Sequence, residues 1–175
     1  NSNVESDVNY TFLPDLLNKY HIELSSDALL FKLGHFEAIE KVDYKGFVSS
    51  DELIATAEGE YGLAWYGSSL EGGSGALGEY LQYNAPHKMS LYIRCGLPII
   101  VWEKAGLAPF VKKNNVGICI SSLTELEDIL PKISAGQYME MKKNVLQIAD
   151  KLSHGYYCFK AIKQACADLG GEIKG

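Results

Sequence analysis

Arginine occurs once in this 175-residue chain, and the 16 basic residues are outnumbered by 22 acidic ones. The resulting net charge of −6 argues against a general nucleic-acid binder, and against a protein held on anionic membranes by a basic face. No apolar run approaches the roughly 20 residues of a membrane span, and no secretory signal opens the chain. These absences predict a cytoplasmic protein with no transmembrane segment and no nucleic-acid partner.

Cysteine and histidine are also scarce, with four of each. The cysteines are Cys95, Cys119, Cys158 and Cys166. They form no Cys-x-x-Cys pair and have no histidine at metal-ligand spacing, which gives no zinc site. Two of them fall in apolar patterns typical of reduced thiols in a protein core. We therefore expect no metal and no other cofactor.

The chain does contain an alternation of apolar strands and helical segments. The predicted strands are ALLFKL (28–33), VDYKGFV (42–48), YGLAWYG (61–67), LPIIVW (97–102) and VGICIS (116–121). The predicted helices are residues 11–20, 51–59, 86–95, 106–115 and 122–133. Because the strands are apolar on both faces, this α/β pattern predicts a doubly wound, Rossmann-like parallel sheet. Residues 1–10 are predicted to be a flexible segment and residues 11–175 a single domain.

Helix boundaries can also be predicted from the sequence. Ser49 or Ser50 is the predicted cap of the helix at 51–59, and Ser122 that of the helix at 122–133. Ser49 and Ser122 are each followed three residues later by glutamate, which is the capping-box spacing. From Tyr138 onwards apolar residues recur three or four apart, which predicts C-terminal helices interrupted at Gly155. We expect the apolar face of this tail to pack on the domain's own sheet. A partner surface, including that of a homo-oligomer, is the alternative.

The segment Asn84–Ser90 is the strongest candidate for a binding site. Pro86 suits the first position of a helix and Asn84 the region of its cap. The free N–H groups and the positive dipole end of that helix favour an anion. Lys88 adds a full charge and Ser90 a hydroxyl, whereas His87 could donate to a phosphate oxygen or simply satisfy the loop backbone. The segment as a whole predicts phosphate binding.

A glycine-rich loop precedes this segment and contains Gly73-x-Gly75-x-x-Gly78. The dinucleotide-binding fingerprint of the same form needs a strand directly before it and a long helix directly after it. Here a further loop follows Trp65, and Pro86 cuts short any helix begun at Gly78, so we interpret the match as coincidental. The glycines instead let a backbone approach a ligand or form a flexible surface loop.

Four stretches carry a family resemblance: VDYKGFVSSDEL, YGLAWYGSSL, GALGEYLQYNAPHKMSLYIRCGLPIIVWEKAGLAPFVKKNNVGICISSLTEL and LSHGYYCFKAI. With them the chain resembles the C-terminal half of a GT-B glycosyltransferase over about residues 29–162. The similar group contains bacterial β-1,6-galactofuranosyltransferases and the glucosyltransferase that extends serine-rich adhesin glycans. Asn84 to Lys88, followed by Ser-Leu-Tyr and Gly-Leu-Pro-Ile-Ile-Val-Trp, is the most specific part.

The resemblance implies a metal-independent enzyme of cell-surface glycan or glycoprotein assembly that transfers galactofuranose or glucose. This half would bind the UDP-sugar donor, and a missing N-terminal half would bind the glycan or glycoprotein acceptor. The chain alone would then be inactive. The implied positions are Asn84, Pro86, Lys88 and Ser90 near the diphosphate, Gly46 and Phe47 near the nucleoside, and Tyr80 and Tyr83 along the approach. His87 and Gly75 complete the predicted donor-binding set, and Lys88 is the predicted catalytic residue.

Two further features of the sequence have simpler interpretations. Glu71 and Glu79 have the E-x7-E spacing of many retaining glycosyltransferases, but Leu91 stands where the second glutamate of that pattern belongs, which indicates chance. Arg94 is interpreted as a solvated helix residue. Two alternative functions stay open: half of a UDP-sugar epimerase, and a non-catalytic module that binds sugar nucleotides or other proteins.

Overall fold

The computed structural model describes residues 22–24, 49–66, 70–73 and 75–170, with backbone alone for residues 22–24 and 75–77. The predicted flexible segment, the predicted helix at 11–20 and the predicted strands at 28–33 and 42–48 lie outside these residues.

Four parallel strands form one sheet in the order β1-β2-β3-β4. They are β1 (Ile22–Leu24), β2 (Tyr61–Ala64), β3 (Ile99–Trp102) and β4 (Gly117–Ile120). Every residue of β2 and β3 is buried, which confirms the prediction of strands covered on both faces. Strand β1 was not predicted, because three residues are too few for a periodic pattern to stand out.

Seven α-helices occur in the described part of the chain. They are α1 (Ser50–Thr56), α2 (Gly75–Leu81), α3 (His87–Arg94), α4 (Ala108–Asn114), α5 (Leu126–Ile129), α6 (Ala135–Ser153) and α7 (Tyr156–Asp168). Helix α1 begins as predicted, since the Ser49 side chain accepts a hydrogen bond from the backbone N–H of Glu52 at 3.2 Å. Ser134 caps α6 in the same way, and Gln137 completes a capping box there.

Helices α3 and α4 cover the same face of the sheet. A Cβ on Gly62 would overlap the ring of Tyr92, so this face of β2 lies against α3. The Cys119 thiol contacts the Ala108 carbonyl of α4 at 3.7 Å. Gly62 pairs with Ile99 and Cys119 with Val101, and residues two apart on a strand share a face. In the described residues, each successive strand is therefore added on the same side of the sheet, and α3 and α4 lie on one face. A doubly wound arrangement stays a prediction.

The C-terminal helices form a further layer. Helix α6 packs on α3 and buries Met141, Val145 and Ile148. In its first turn the Tyr138 ring contacts that of Tyr61 in β2, with centroids 5.3 Å apart, so the expected packing on the sheet is seen at that turn. Gly155 has a φ of 67° and separates α6 from α7, which confirms the predicted break. Helix α7 buries no residue.

Residues 122–133 do not form the single helix that the sequence predicts. The segment consists of a 3₁₀ turn at Leu123–Glu125, then α5, then a second 3₁₀ turn at Leu130–Lys132. Ser122 caps the first turn as predicted, but its side chain accepts from Thr124 rather than from Glu125. Pro131 lacks a backbone donor, which is the physical reason that the helix ends there.

None of the four cysteines forms a disulfide. Cys95 and Cys119 pack against the core, which agrees with the expectation of two reduced core thiols, but both are only partly buried. Cys158 lies exposed on α7 and the other three are partly exposed. No helix among the described residues combines the length and the apolar character that crossing a membrane would require.

Candidate functional site

The carboxyl ends of the parallel strands meet at one edge of the sheet, where ligands bind in folds of this class. We call this edge the rim. Tyr66 follows β2 there, Trp102 ends β3, and Ser121 follows β4. The glycine-rich loop is held at the rim by a hydrogen bond from the Gly72 N–H to the Ser121 carbonyl at 3.0 Å. The start of α3 lies there too, because Lys88 contacts Tyr66.

A tight turn leads from α2 into α3. The N–H groups of Tyr83 and Asn84 both donate to the Tyr80 carbonyl at 3.1 Å. Pro86 is buried, with φ −60° and ψ 132°, and occupies the N-cap position. This corrects the expected placement by one residue: Pro86 precedes the first helical residue, and Asn84 lies two residues before the cap.

The amino terminus of α3 has no side-chain cap. Proline offers no side-chain acceptor, so its side chain caps none of the first N–H groups of the helix. The Met89 N–H donates to the Pro86 carbonyl at 3.0 Å, which leaves the N–H groups of His87 and Lys88 without an intrahelical partner. The first turn contains no acidic residue. These N–H groups and the helix dipole therefore present positive potential at the rim.

Lys88 adds a full charge at the same place. Its Nζ lies 5.9 Å from the centroid of the Tyr66 ring, and its side chain is half-buried. Burial raises the pKa of Tyr66 above its ordinary value, so the phenol is neutral at physiological pH. A neutral aromatic face attracts an ammonium without cancelling its charge. The arrangement can accept a phosphate or carboxylate group.

The other predicted site residues have varied environments. Asn84 and Ser90 are half-buried, and His87 is exposed as the first residue of α3. The side chains of Tyr80 and Tyr83 are 57% and 87% exposed. Gly75 begins α2, while Gly46 and Phe47 lie outside the described residues. The structure thus brings Lys88 of the Asn84–Ser90 group together with Tyr66, a residue outside the predicted donor-binding set.

The glycines of the loop allow close packing within the loop and against β3. Gly73 has a φ of 56°, and a Cβ on it would overlap the Trp102 indole. A Cβ on Gly78 would overlap the backbone of Gly73. The helix that follows, α2, ends after seven residues at Leu81, in keeping with our rejection of a dinucleotide fingerprint. Neither ligand approach nor loop flexibility is needed to explain Gly73 and Gly78.

Glu71 ties the same loop to the end of β4. Its backbone forms an isolated antiparallel bridge with Ser122, and its carboxylate accepts a hydrogen bond from the Ser122 hydroxyl at 3.2 Å. Glu79 lies exposed on α2, and Arg94 lies exposed in the last turn of α3, as expected of a solvated position. Glu71 therefore has a structural contact that accounts for it without the E-x7-E interpretation.

Gly106 supports the turn that leads into α3, and no sequence signal pointed to it. Its N–H donates to the Leu81 carbonyl at 2.9 Å. A Cβ at this position would lie 2.8 Å from the backbone oxygen of Gln82. The segment after β3 and the turn before Asn84 are thus in backbone contact, which fixes the backbone that leads into α3.

The described side chains include no group of three or more histidine, cysteine, aspartate or glutamate residues that could hold a metal ion. Among the described residues of the rim, the Lys88 ammonium, neighbouring hydroxyl and amide groups, and backbone N–H donors can bind an anion.

Comparison with known proteins agrees with the resemblance noted in the sequence. The family model described as "Glucosyltransferase 3-like, C-terminal domain" matches residues 8–165. Over 120 residues the chain is 36% identical to the Beta-1,6-galactofuranosyltransferase WbbI of Escherichia coli (strain K12), covering 69% of the chain and 36% of that relative. Over 129 residues it is 28% identical to Glucosyltransferase 3 of Streptococcus gordonii, covering 73% and 38%. The chain spans little more than a third of these relatives.

Proposed function

Because the chain belongs to the Glucosyltransferase 3-like C-terminal domain family, we propose that it is the donor-binding part of a glycosyltransferase. Two of its relatives are named for glycosyl transfer, one of galactofuranose and one of glucose. The proposed donor is accordingly a UDP-sugar carrying one of these two sugars. The acceptor, a cell-surface glycan or glycoprotein, would be bound by a separate half of a GT-B enzyme.

The observation that carries this proposal is the half-buried Lys88 beside an uncapped helix start at the rim. A diphosphate is the anionic group of a sugar nucleotide, and its oxygens suit both an ammonium and backbone N–H donors. In this proposal Asn84, Ser90 and His87 supply further polar contacts around the phosphates. The exposed Tyr80 and Tyr83 would lie along the path of the sugar and nucleoside.

The chemistry of glycosyl transfer assigns Lys88 a catalytic role. The anomeric C–O bond breaks as the acceptor oxygen bonds to the same carbon, and the electron pair of the broken bond leaves with the diphosphate. A cation and aligned dipoles at the departing phosphate stabilise the charge that develops there. In the proposed mechanism these groups act without a metal ion. The base that activates the acceptor hydroxyl would come from the other half, so this chain alone should transfer no sugar.

The first test is calorimetric titration of this chain with UDP, UMP, GDP and ADP in the presence of EDTA. We expect selective binding of UDP that survives EDTA. Loss of a charged hydrogen-bond partner costs about 1.5–3 kcal/mol, so Lys88→Ala should bind UDP about ten- to a hundredfold more weakly. Lys113→Ala is the matched control, because Lys113 lies exposed in the last turn of α4.

The outcomes separate three cases. Unchanged UDP affinity in Lys88→Ala would mean that the diphosphate does not bind at this helix start. Binding that disappears with EDTA would contradict metal independence. Sugar transfer by this chain alone would contradict the assignment of the acceptor and base to another half.

A second candidate function is a protein-interaction module, favoured by the apolar surface of α7. Phe159, Ile162 and Leu169 are 55%, 51% and 87% exposed on that helix and at its C-terminal end. Exposed apolar residues grouped on one element are typical of contact surfaces. No binding of any nucleotide, together with a stable oligomer by light scattering, would favour this function over the first.

A further inference from the structure

We propose that Tyr66 is a positioning residue that holds the Lys88 ammonium for the donor diphosphate. This inference rests on the proposed function and adds a residue to the same site. The two residues come from different elements, since Tyr66 follows β2 and Lys88 lies in the first turn of α3. Their contact, 5.9 Å from Nζ to the ring centroid, is within the range of a cation–π interaction.

This contact matters because the lysine side chain is otherwise flexible. A free lysine side chain loses up to about 2 kcal/mol of conformational entropy when a ligand immobilises it. A ring that restrains the ammonium before the ligand arrives reduces that loss on binding. Lys88 is only half-buried, so part of its side chain stays accessible while Tyr66 limits its motion.

An aromatic ring suits this task better than a carboxylate would. A carboxylate beside Lys88 would pair with the ammonium and compete with a phosphate for it. The π face of tyrosine attracts the cation but carries no net charge, so the full positive charge remains available to an anion. The ordinary pKa of tyrosine is about 10, and burial raises that of Tyr66 further, so the phenol does not ionise at neutral pH and become such a competitor.

The experiment is a double-mutant cycle on this chain with UDP as the titrant. The variants are Tyr66→Phe, Tyr66→Leu, Lys88→Met and the combination of Tyr66→Leu with Lys88→Met. Phenylalanine keeps the aromatic face, so Tyr66→Phe should bind UDP within about twofold of the wild type. Tyr66→Leu should bind about fivefold more weakly. In the Lys88→Met background the same leucine substitution should have no further effect.

Two results would overturn the inference while Lys88→Met still weakens binding. One is an equal loss in Tyr66→Phe and Tyr66→Leu, which would assign the effect to the hydroxyl. The other is an equal effect of Tyr66→Leu in both backgrounds, which would mean that Tyr66 acts on the nucleotide or the fold independently of Lys88. An unchanged affinity in Lys88→Met would overturn the proposed site itself, and this inference with it. Thermal melts of each variant establish that it is folded.

Discussion

Single residues set the shape of the turn before α3, and Gly106 is the clearest case. It donates to Leu81 and leaves no room for a side chain against Gln82. Lys88 depends on that turn for its place at the rim. A residue without a side chain can therefore affect a site although it does not contact the ligand.

Gly106→Ala should destabilise the chain by about 1–3 kcal/mol, because the added methyl meets backbone that must shift. It should also weaken UDP binding, since the turn before Asn84 moves. Gly136→Ala is the matched control, because the nearest atom to its added methyl would be the Ser134 hydroxyl oxygen at 4.0 Å. That change should be neutral or stabilising by up to about 1 kcal/mol. Urea unfolding and UDP titration of both variants provide the measurements, and equal effects would contradict the steric argument.

The sequence predicted Lys88 as a site residue but did not predict its contact with Tyr66. The lysine could be found because proline, lysine and serine at a helix start form a local pattern. Its contact with Tyr66 spans α2 and the glycine-rich loop, and no local rule reports which residues such a crossing brings together. The packing of Gly73 on Trp102 was missed for the same reason.

At the scale of elements, α6 and α7 differ sharply although their sequences share one apolar rhythm. Helix α6 buries Met141, Val145 and Ile148, whereas α7 buries none of its residues. The aromatic ring of Tyr157 on α7 contacts that of Phe110 with centroids 6.0 Å apart. Periodicity therefore predicted two helices correctly, but it could not show that only α6 would have residues of its apolar face fully buried.

The isoleucines of these two helices give a matched test. Ile148 is 5% exposed and Ile162 is 51% exposed. Ile148→Ala should cost about 2–5 kcal/mol by removing buried methyl groups and leaving a cavity. Ile162→Ala should change stability by no more than about 0.5 kcal/mol. The comparison is made by urea unfolding of the two variants. A large loss in Ile162→Ala would mean that α7 is covered in solution, for example by a second copy of the chain.

Serine caps were the other dependable signal for helices. Ser49 caps α1 with the predicted bond to Glu52. Ser122 also caps, but the segment predicted as one helix after it consists of a 3₁₀ turn, the four-residue α5 and a second 3₁₀ turn that contains Pro131. A cap fixes where a helix begins and says little about how far it extends.

For the whole molecule, the stability at alkaline pH should report most directly on the burial of its tyrosine and cysteine side chains. Burial raises the pKa of Tyr66, Cys119, Tyr138 and Tyr157. The folded state then keeps protons that the unfolded state releases, near pH 9 for cysteine and pH 10 for tyrosine. Since the folded state binds more protons in that range, the contribution of these groups to the free energy of unfolding should be fully present below about pH 9 and decrease as the pH rises.

Thermal melts from pH 7.5 to 11 would measure this fall, with Tyr138→Phe as the comparison. Burial first and the neighbouring Glu60 second raise the pKa of Tyr138. Its hydroxyl also donates to the Glu60 carbonyl at 3.0 Å. Removing the hydroxyl should lower stability by a constant amount near neutral pH and flatten the fall above pH 10. Parallel curves for the two proteins would contradict a burial effect at this tyrosine.

The proline at the N-cap position of α3 affects the balance between stability and the proposed binding. A serine, threonine or aspartate at an N-cap typically adds about 1 kcal/mol to stability, and Ser49 and Ser134 provide such caps elsewhere in the chain. At Pro86 that stabilisation is forgone, and the Lys88 N–H, which a cap could occupy, stays available, whereas the Met89 N–H donates to the Pro86 carbonyl at 3.0 Å. A serine there would make the protein more stable at the expense of the proposed anion site. Side-chain caps stabilise α1 and α6, whereas α3, α4, α5 and α7 do without one. At the proposed site, the stability forgone at α3 is the kind of trade-off that binding sites impose on folds.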